Sequence, residues 1–403
     1  MSGDAHTDRR FRTMILRSVA PPFPMSAGPR QTDRAGTWDN LLATTAIALA
    51  LLVVALLPRV TGLSDFYTTD EAYFWQGRVA RFSAAIAMGD WVGTNQTGHP
   101  GVTTMWLGTL GKLLADRSGA PAPGPGGGAI YLSYLRLPLG VANALAVSIG
   151  YLFLLRLVRP RVALIAAVLW ATSPFLIAHS RLLHLDGLLT SLNSLSLLAL
   201  LVATLGVRAR EPARPLWRRP ALLLSGLFAG LALLTKSPAL LLLPFAGGLL
   251  FCVELWGRRP LRAPLVRAAS GALAHACVAF LAWLSAAAVV FVGIWPAMWV
   301  HPLGALGAIV GEVIGNGGKA HSAGNYFMGQ AVADPGWPFY LAVVRWRGEP
   351  PMALGLLALA AYGVWRLLSY RAVVAARARR GLGPDEIRQI QVIVAWAPSS
   401  CSF

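Results

Sequence analysis

Charged residues are missing from this chain in long, recurrent blocks, and that absence limits its fold more than any motif does. Uncharged runs occupy 40–58, 137–155, 162–180, 187–207, 220–235, 237–253, 268–311 and 350–365. A helix needs about 20 mainly apolar residues to cross a bilayer, within a range near 17–25. The two runs of 16 residues (220–235 and 350–365) reach that length by snorkelling flanking Arg or Lys to the interface. In the longest run the span is expected to end near Trp295-Pro296, leaving Ala297 onward as loop. The pattern therefore predicts eight spans and an all-α, multi-span integral membrane bundle. Only 13% of residues are charged while 56% are hydrophobic, against roughly 25% charged in ordinary soluble domains. A soluble chain of two or three domains is excluded. The run at 40–58 follows a basic tail, yet it is long and lacks a small-x-small cleavage site before Arg59, so it reads as a retained anchor.

The net charge of +18 resolves into topology. Lys and Arg prefer the cytoplasmic side of a membrane. Threading eight spans from a cytoplasmic N-terminus puts 24 basic and 8 acidic residues inside, a balance of +16. The outer loops hold 11 basic and 9 acidic residues, a balance of +2. This predicts a multi-pass cell-membrane protein with a cytoplasmic N-terminus, and it removes nucleic acid as a partner. Residues 1–37 form a basic tail and 38–396 the membrane core, with outer loops at about 59–136 and 297–349. The glycine- and proline-rich stretch at 118–128 reads as a flexible loop tip. The segment 386–396 resembles the entry to a ninth span, and 397–403 reads as a truncated C-terminus. Three cysteines without a Cys-x-x-Cys pair give neither a disulfide framework nor a cysteine metal site.

The chemistry-bearing residues lie on the outer ends of these spans. After the first span, Trp75, Val79, Phe82 and Ile86 recur at helical spacing, which predicts an amphipathic helix lying in the interface. Gln76 and either Arg78 or Arg81 fall off that stripe. Asp70-Glu71 has two readings. Thr68-x-x-Glu71 fits a capping box with Asp70 in the first turn, and the same pair could serve as catalytic carboxylates at the membrane surface. His99-Pro100 opens a second amphipathic segment in the same loop. The bend HSRLLHLDG brings Arg181, His184 and Asp186 within six residues, either as snorkelling charges or as a polar pocket at headgroup depth. Lys236 sits in a turn joining two spans with almost no loop, where an ionisable residue is a functional-site hypothesis; reaching outward to lipid phosphates is the alternative. Carboxylates can act as general base, and cations can hold a phosphate or stabilise it as a leaving group. A carboxylate–histidine cluster is compatible with a divalent metal, though no spacing demands one.

Six segments in order carry a family resemblance: DEAYFW, GHPGVTTMW, SPFLIAHSRLLHLDGLLTSLNSL, GLALLTKSPALLLLP, IWPAMWVHPLGAL and the stretch from GNYFMGQ to about residue 357. With them the chain resembles the polyprenyl-phosphate-sugar-dependent glycosyltransferases of the GT-C superfamily. In particular it resembles the protein O-mannosyltransferase-like group, glycosyltransferase family 39, related to the aminoarabinose transferases of lipid A. The resemblance implies a GT-C helical bundle that moves a sugar from a polyprenyl-phosphate donor to a protein, lipid or glycan acceptor. Asp70 would be the catalytic carboxylate, with Glu71 beside it. Arg181 and Lys236 would neutralise the departing polyprenyl phosphate, and Asp186 and His99 would bind or orient the sugar. His184, Lys319, His321 and Asn325 are weaker candidates. The chain departs from the family pattern in reading His99-Pro100-Gly101 where the eukaryotic mannosyltransferases have His-Pro-Pro. It also has no lectin-like insertion in its second outer loop. The alternative class is a membrane transporter or lipid flippase. That class places ionisable residues near the midplane and often repeats its halves, whereas here the charges sit at span ends and no repeat is found. A catalytically inactive scaffold subunit is the third reading.

Overall fold

The computed structural model describes residues 33–121, 128–206, 215–257, 265–316 and 325–378. Most of the basic tail, the centre of the 118–128 tip, Lys319, His321, the 386–396 segment and the C-terminal residues 397–403 lie outside the described residues. The chain divides into two units, Met1–Leu49 and Ala50–Phe403. The described part of the first is the opening of an apolar helix, α1 (Asp33–Val60); the site lies wholly in the second.

Five helical stretches are long and apolar enough to cross a membrane: Leu41–Val60, Gly128–Leu157, Asp186–Leu205, Ser237–Trp256 and Ala269–Ile294. The count becomes seven if two bent pairs are each one span, and Pro220–Thr235 is a shorter apolar helix. The expected run at 137–155 belongs to α4 (Gly128–Leu157), which starts nine residues earlier and carries Arg136 inside it. The run at 162–180 is not one helix. It breaks into α5 (Pro160–Thr172) and α6 (Pro174–Ser180), bent by 55°. The cause is local: a residue before proline is pushed out of the α region, and Ser173 takes ψ 114. Its hydroxyl then caps the new helix by accepting from Leu176 N at 3.2 Å. Arg59, fully buried, donates to the carbonyls of Ala55 and Ala171 at 2.8 and 2.9 Å, closing the frayed end of α5.

Between them, α2 (Gln76–Met88) and α3 (Val102–Arg117) fill the loop after α1. The predicted stripe is real: Trp75, Val79 and Phe82 are buried and Ile86 packs beside them. They share a core with Met105 of α3, Leu135 of α4 and Trp295. A second core joins α7 (Asp186–Leu201), α8 (Pro220–Thr235), α9 (Leu242–Gly257) and α10 (Leu265–Ile294), with Leu222, Ala229, Trp283 and Ala287 at its centre. There Ser196 and Ser225 exchange hydrogen bonds through their hydroxyls and carbonyls at 2.9 and 2.8 Å. The Trp283 indole donates to Ser225 Oγ at 2.9 Å. Small residues and serine hydroxyls of this kind let apolar helices approach and bind one another.

The long run from 268 ends as a helix at Ile294, close to the expected Trp295-Pro296. A short α11 (Ala297–Val300) and then α12 (Pro302–Asn316) follow. After a hairpin of β1 (Asn325–Phe327) and β2 (Gln330–Val332), α13 (Pro338–Arg347) meets α14 (Pro350–Ala378) at 115°.

Candidate active site

The site begins with a residue that is not exposed. Glu71 and Arg136 are both fully buried and form a two-pronged ion pair, Nε to Oε1 at 2.7 Å and Nη2 to Oε2 at 2.5 Å. Glu71 also accepts from Leu183 N at 2.7 Å and from Thr68 Oγ1 at 2.6 Å. Arg136 donates further to the carbonyl of Leu63 and lies over the Phe66 ring at 4.1 Å. Burial alone would raise the Glu71 pKa. The hydrogen bonds from Arg136, Thr68 and Leu183, with the Arg136 charge, hold it below the ordinary carboxylate value. Half of the predicted capping box is present, since Glu71 Oε2 also accepts from Thr68 N at 3.3 Å. The Thr68 hydroxyl, however, donates to the glutamate instead of accepting from the helix. Glu71 thus fastens the first loop, α4 and the 181–185 bend together, and this takes it out of reach of a substrate.

From Glu71 to Trp75 the backbone makes a π turn, with Gln76 N bonded to Glu71 O, a distortion that recurs at functional sites. Just before it stands Asp70, whose side chain is 56% exposed and 3.3 Å from His184 Nε2. Across the same imidazole, Nδ1 lies 3.5 Å from Asp186 Oδ2 and accepts from Asp186 N at 3.4 Å. Asp186 Oδ1 in turn accepts from Lys236 Nζ at 2.8 Å. Four predicted residues therefore form one chain: Asp70, His184, Asp186, Lys236. Burial lowers the His184 pKa; Lys236 and His179 add to this, while Asp186 and Asp70 oppose it. A neutral imidazole whose Nδ1 accepts a backbone N–H carries its proton on Nε2, an assignment made from this network. That proton faces Asp70. Trp75 packs its edge against the His184 ring at 6.1 Å and an angle of 81°.

His99 stands on a neighbouring turn. Gly101 takes φ +61, and a Cβ there would lie 2.8 Å from the Trp75 ring, so the His-Pro-Gly turn needs glycine for both its backbone and its seat. Gly101 N donates to Thr235 O at 3.1 Å, and the Thr103 and Thr235 hydroxyls are 2.7 Å apart. These contacts stitch the His99 turn to the Lys236 turn. His99 Nε2 is 3.1 Å from Glu312 Oε1 of α12, and its Nδ1 is buried with no hydrogen-bond partner among the described residues. Burial lowers the His99 pKa, Lys236 and Arg78 push the same way, and Glu312 and Asp186 oppose them.

Arg181 and Asn325 are placed elsewhere. Arg181 Nη2 donates to the carbonyls of Thr61 and of Gly62, the latter at 2.8 Å, and the guanidinium sits over Phe66 at 5.5 Å. It secures the loop after α1. Asn325 Nδ2 donates to Ala333 O at 2.9 Å within the hairpin. Three residues of the site escaped the sequence reading as site residues. Arg136 lay just outside an uncharged run, Arg78 was only one of two arginines off the α2 stripe, and Glu312 ends a long apolar stretch as its only acid. Arg81, the other candidate, donates to Gln96 Oε1 at 2.7 Å. Among the described residues no three His, Cys, Asp or Glu converge in a group that could hold a metal ion.

The sequence profile of the dolichyl-phosphate-mannose-protein mannosyltransferase family matches residues 133–283. The matched stretch contains Arg136, Arg181, His184, Asp186 and Lys236, and leaves Asp70, His99 and Glu312 outside it. No curated protein and no solved structure matches the chain at a significant level. With the span-length helices, the profile match supports a multi-pass membrane glycosyltransferase of the GT-C superfamily that uses a polyprenyl-phosphate-linked sugar.

Proposed function

We propose that this protein transfers a hexosyl or pentosyl unit from a polyprenyl phosphate to an acceptor hydroxyl on the outer side of the membrane, inverting the anomeric carbon. The observation that carries this reading is the Asp70–His184–Asp186–Lys236 chain, which joins an exposed carboxylate to a cation through one neutral imidazole. Asp70 takes the acceptor proton. The freed oxygen pair forms the bond to the anomeric carbon, and the bond from that carbon to the phosphate oxygen breaks on the far side. The electron pair leaves with the polyprenyl phosphate, whose charge Lys236 balances. His184 donates its Nε2–H toward Asp70 and fixes the orientation of the carboxylate, as a base needs an orienting partner. Asp186 holds Lys236 and His184 in register. The acceptor is a protein, lipid or glycan hydroxyl, and the basic bias of the opposite loops supports an outer location for the site.

The test is transfer from a panel of polyprenyl-phosphate sugars by the full chain in lipid, with products identified by mass spectrometry. Transfer from at least one donor is expected, together with its loss in Asp70→Asn. Flipping or uptake of the lipid in vesicles without any transfer would contradict the reading.

A further inference from the structure

The segment after α12 carries a short helix, α13, with an apolar face turned away from the rest of the described protein. Asp334 Oδ1 accepts from Gly336 N at 2.8 Å and Gly336 takes φ +63, a turn that leads into Trp337-Pro338 and starts the helix. Trp337, Tyr340, Leu341 and Val344 then recur at the i, i+3, i+4, i+7 spacing of a single helix face, and all four are exposed. Phe339 points the other way and packs on Phe327 of the hairpin, with ring centroids 5.9 Å apart. Arg345 and Arg347 are exposed in the last turn, and helical geometry puts them on the two flanks of the stripe.

Length, direction and depth together identify the partner of this face. The 10 residues of α13 rise only about 15 Å, half of a hydrocarbon core about 30 Å thick, so the helix does not cross it. It meets α14 at 115°. The 29-residue α14 is long enough to span and exposes Leu354, Leu356, Leu357 and Leu359, so α13 leaves it nearer to the membrane plane than to the membrane normal. Depth is set by Glu349 in the corner between them. Its carboxylate accepts from Ser173 Oγ and Phe175 N, where α5 gives way to α6. From there α6 leads to the 181–185 bend that carries His184. The corner therefore lies toward the end of the α5–α6 pair on the side where the site opens. Trp and Tyr favour the headgroup level of a bilayer, and flanking arginines match the phosphates there.

We infer that α13 is an interfacial anchor, seating Trp337, Tyr340, Leu341 and Val344 in the bilayer surface on the site's side with Arg345 and Arg347 on lipid phosphates. The partner is phospholipid. The inference needs the membrane-spanning bundle and holds whether or not the site transfers a sugar.

The test is a nitroxide scan of α13 in the full chain, in nanodiscs of equal parts phosphatidylcholine and phosphatidylglycerol. Single cysteines are introduced along α13 in a background of Cys252→Ala, Cys277→Ala and Cys401→Ala. Access of oxygen, which concentrates in lipid, is compared with access of a nickel chelate, which stays in water. Labels in Trp337→Cys, Tyr340→Cys, Leu341→Cys and Val344→Cys should favour oxygen, and the label in Phe339→Cys should see less oxygen than these. Removing both charges, Arg345→Gln with Arg347→Gln, should shift the label at 341 toward the chelate, more in the mixed bilayer than in phosphatidylcholine alone. Chelate access along the whole stripe would overturn the inference by leaving α13 in water. Low access of both reagents at the stripe would overturn it in favour of a second copy of the chain. Oxygen access all round the helix would overturn it as well, making α13 part of a crossing span. No shift in the double arginine variant would overturn the phosphate contact. The four stripe positions are separate variants at exposed sites, so one that fails to fold leaves the others to decide.

Discussion

The loop after α1 carries part of the site and the segment after α12 meets the break between α5 and α6, and the two are built differently. The first is fixed from inside: Glu71 and Arg136 are fully buried, and Trp75, Val79 and Phe82 go into the core. The second lies open. Tyr326, Trp337, Tyr340 and Trp346 are each more than 70% exposed, and no residue of α13 is buried. Glu349 ties it to the rest of the bundle: its Oε1 accepts from Ser173 Oγ at 2.5 Å and from Phe175 N at 3.2 Å, at the break between α5 and α6. The lesson is that buried polar contacts set the geometry of the site in one region, while the other presents its large side chains to the outside.

Breaking the inner region should have the largest effect. Arg136→Met leaves Glu71 buried without its partner, which costs about 3–5 kcal/mol. Thermal unfolding in detergent should show it as a large drop in Tm. Replacing both members with apolar residues (Arg136→Met with Glu71→Leu) should cost less than the single change. An Arg136→Met variant as stable as wild type would erase the contrast between the regions.

Acidification should come next, through His184. Its folded pKa lies below the ordinary histidine value near 6.5, so the folded protein binds fewer protons than the unfolded chain. The associated stability is complete above the unfolded value and is lost as pH falls through the folded one. Activity should follow, because a doubly protonated ring places an N–H against Asp186 N and lowers the basicity of Asp70. Transfer rate against pH should fall on the acid side below about 6.5, and His184→Gln should move or remove that limb. An unchanged acid limb in His184→Gln would remove His184 from the account.

The outer region should give the smallest effect. Glu349→Ala removes two hydrogen bonds and should cost about 1–2 kcal/mol. Trp337→Ala, at an exposed position, should stay within about 0.5 kcal/mol of wild type. If Trp337→Ala destabilises as much as Arg136→Met, the two regions are not different in kind.

Much of the site could be read from the chain because its signals are local. The stripe of Trp75, Val79 and Phe82 is periodic, His184 and Asp186 share one bend, and Lys236 is a cation in a turn with almost no loop. What escaped is long-range. Counting uncharged residues begins a span at 137 because Arg136 is charged, yet a buried acid 65 residues away satisfies that charge and the helix runs through it. The same count hides the Ser173-Pro174 break, since serine and proline carry no charge. Arg181 reads as a phosphate ligand in the sequence, but the carbonyls of Thr61 and Gly62, brought close only by folding, take its Nη2, while its Nε is buried with no hydrogen-bond partner among the described residues. Glu312 meets His99, a residue of the first outer loop far from it in sequence.

The central claim is that Asp70 and Glu71, adjacent in sequence, divide the labour between chemistry and structure. Measuring kcat and Tm together for Asp70→Asn and Glu71→Gln tests it most directly. Asp70→Asn should lower kcat by about 10²–10⁴-fold, the range for a general base, with Tm unchanged. Glu71→Gln should lower Tm strongly, whatever activity survives. Full activity in Asp70→Asn, or a Tm loss in that variant equal to the loss in Glu71→Gln, would contradict the account.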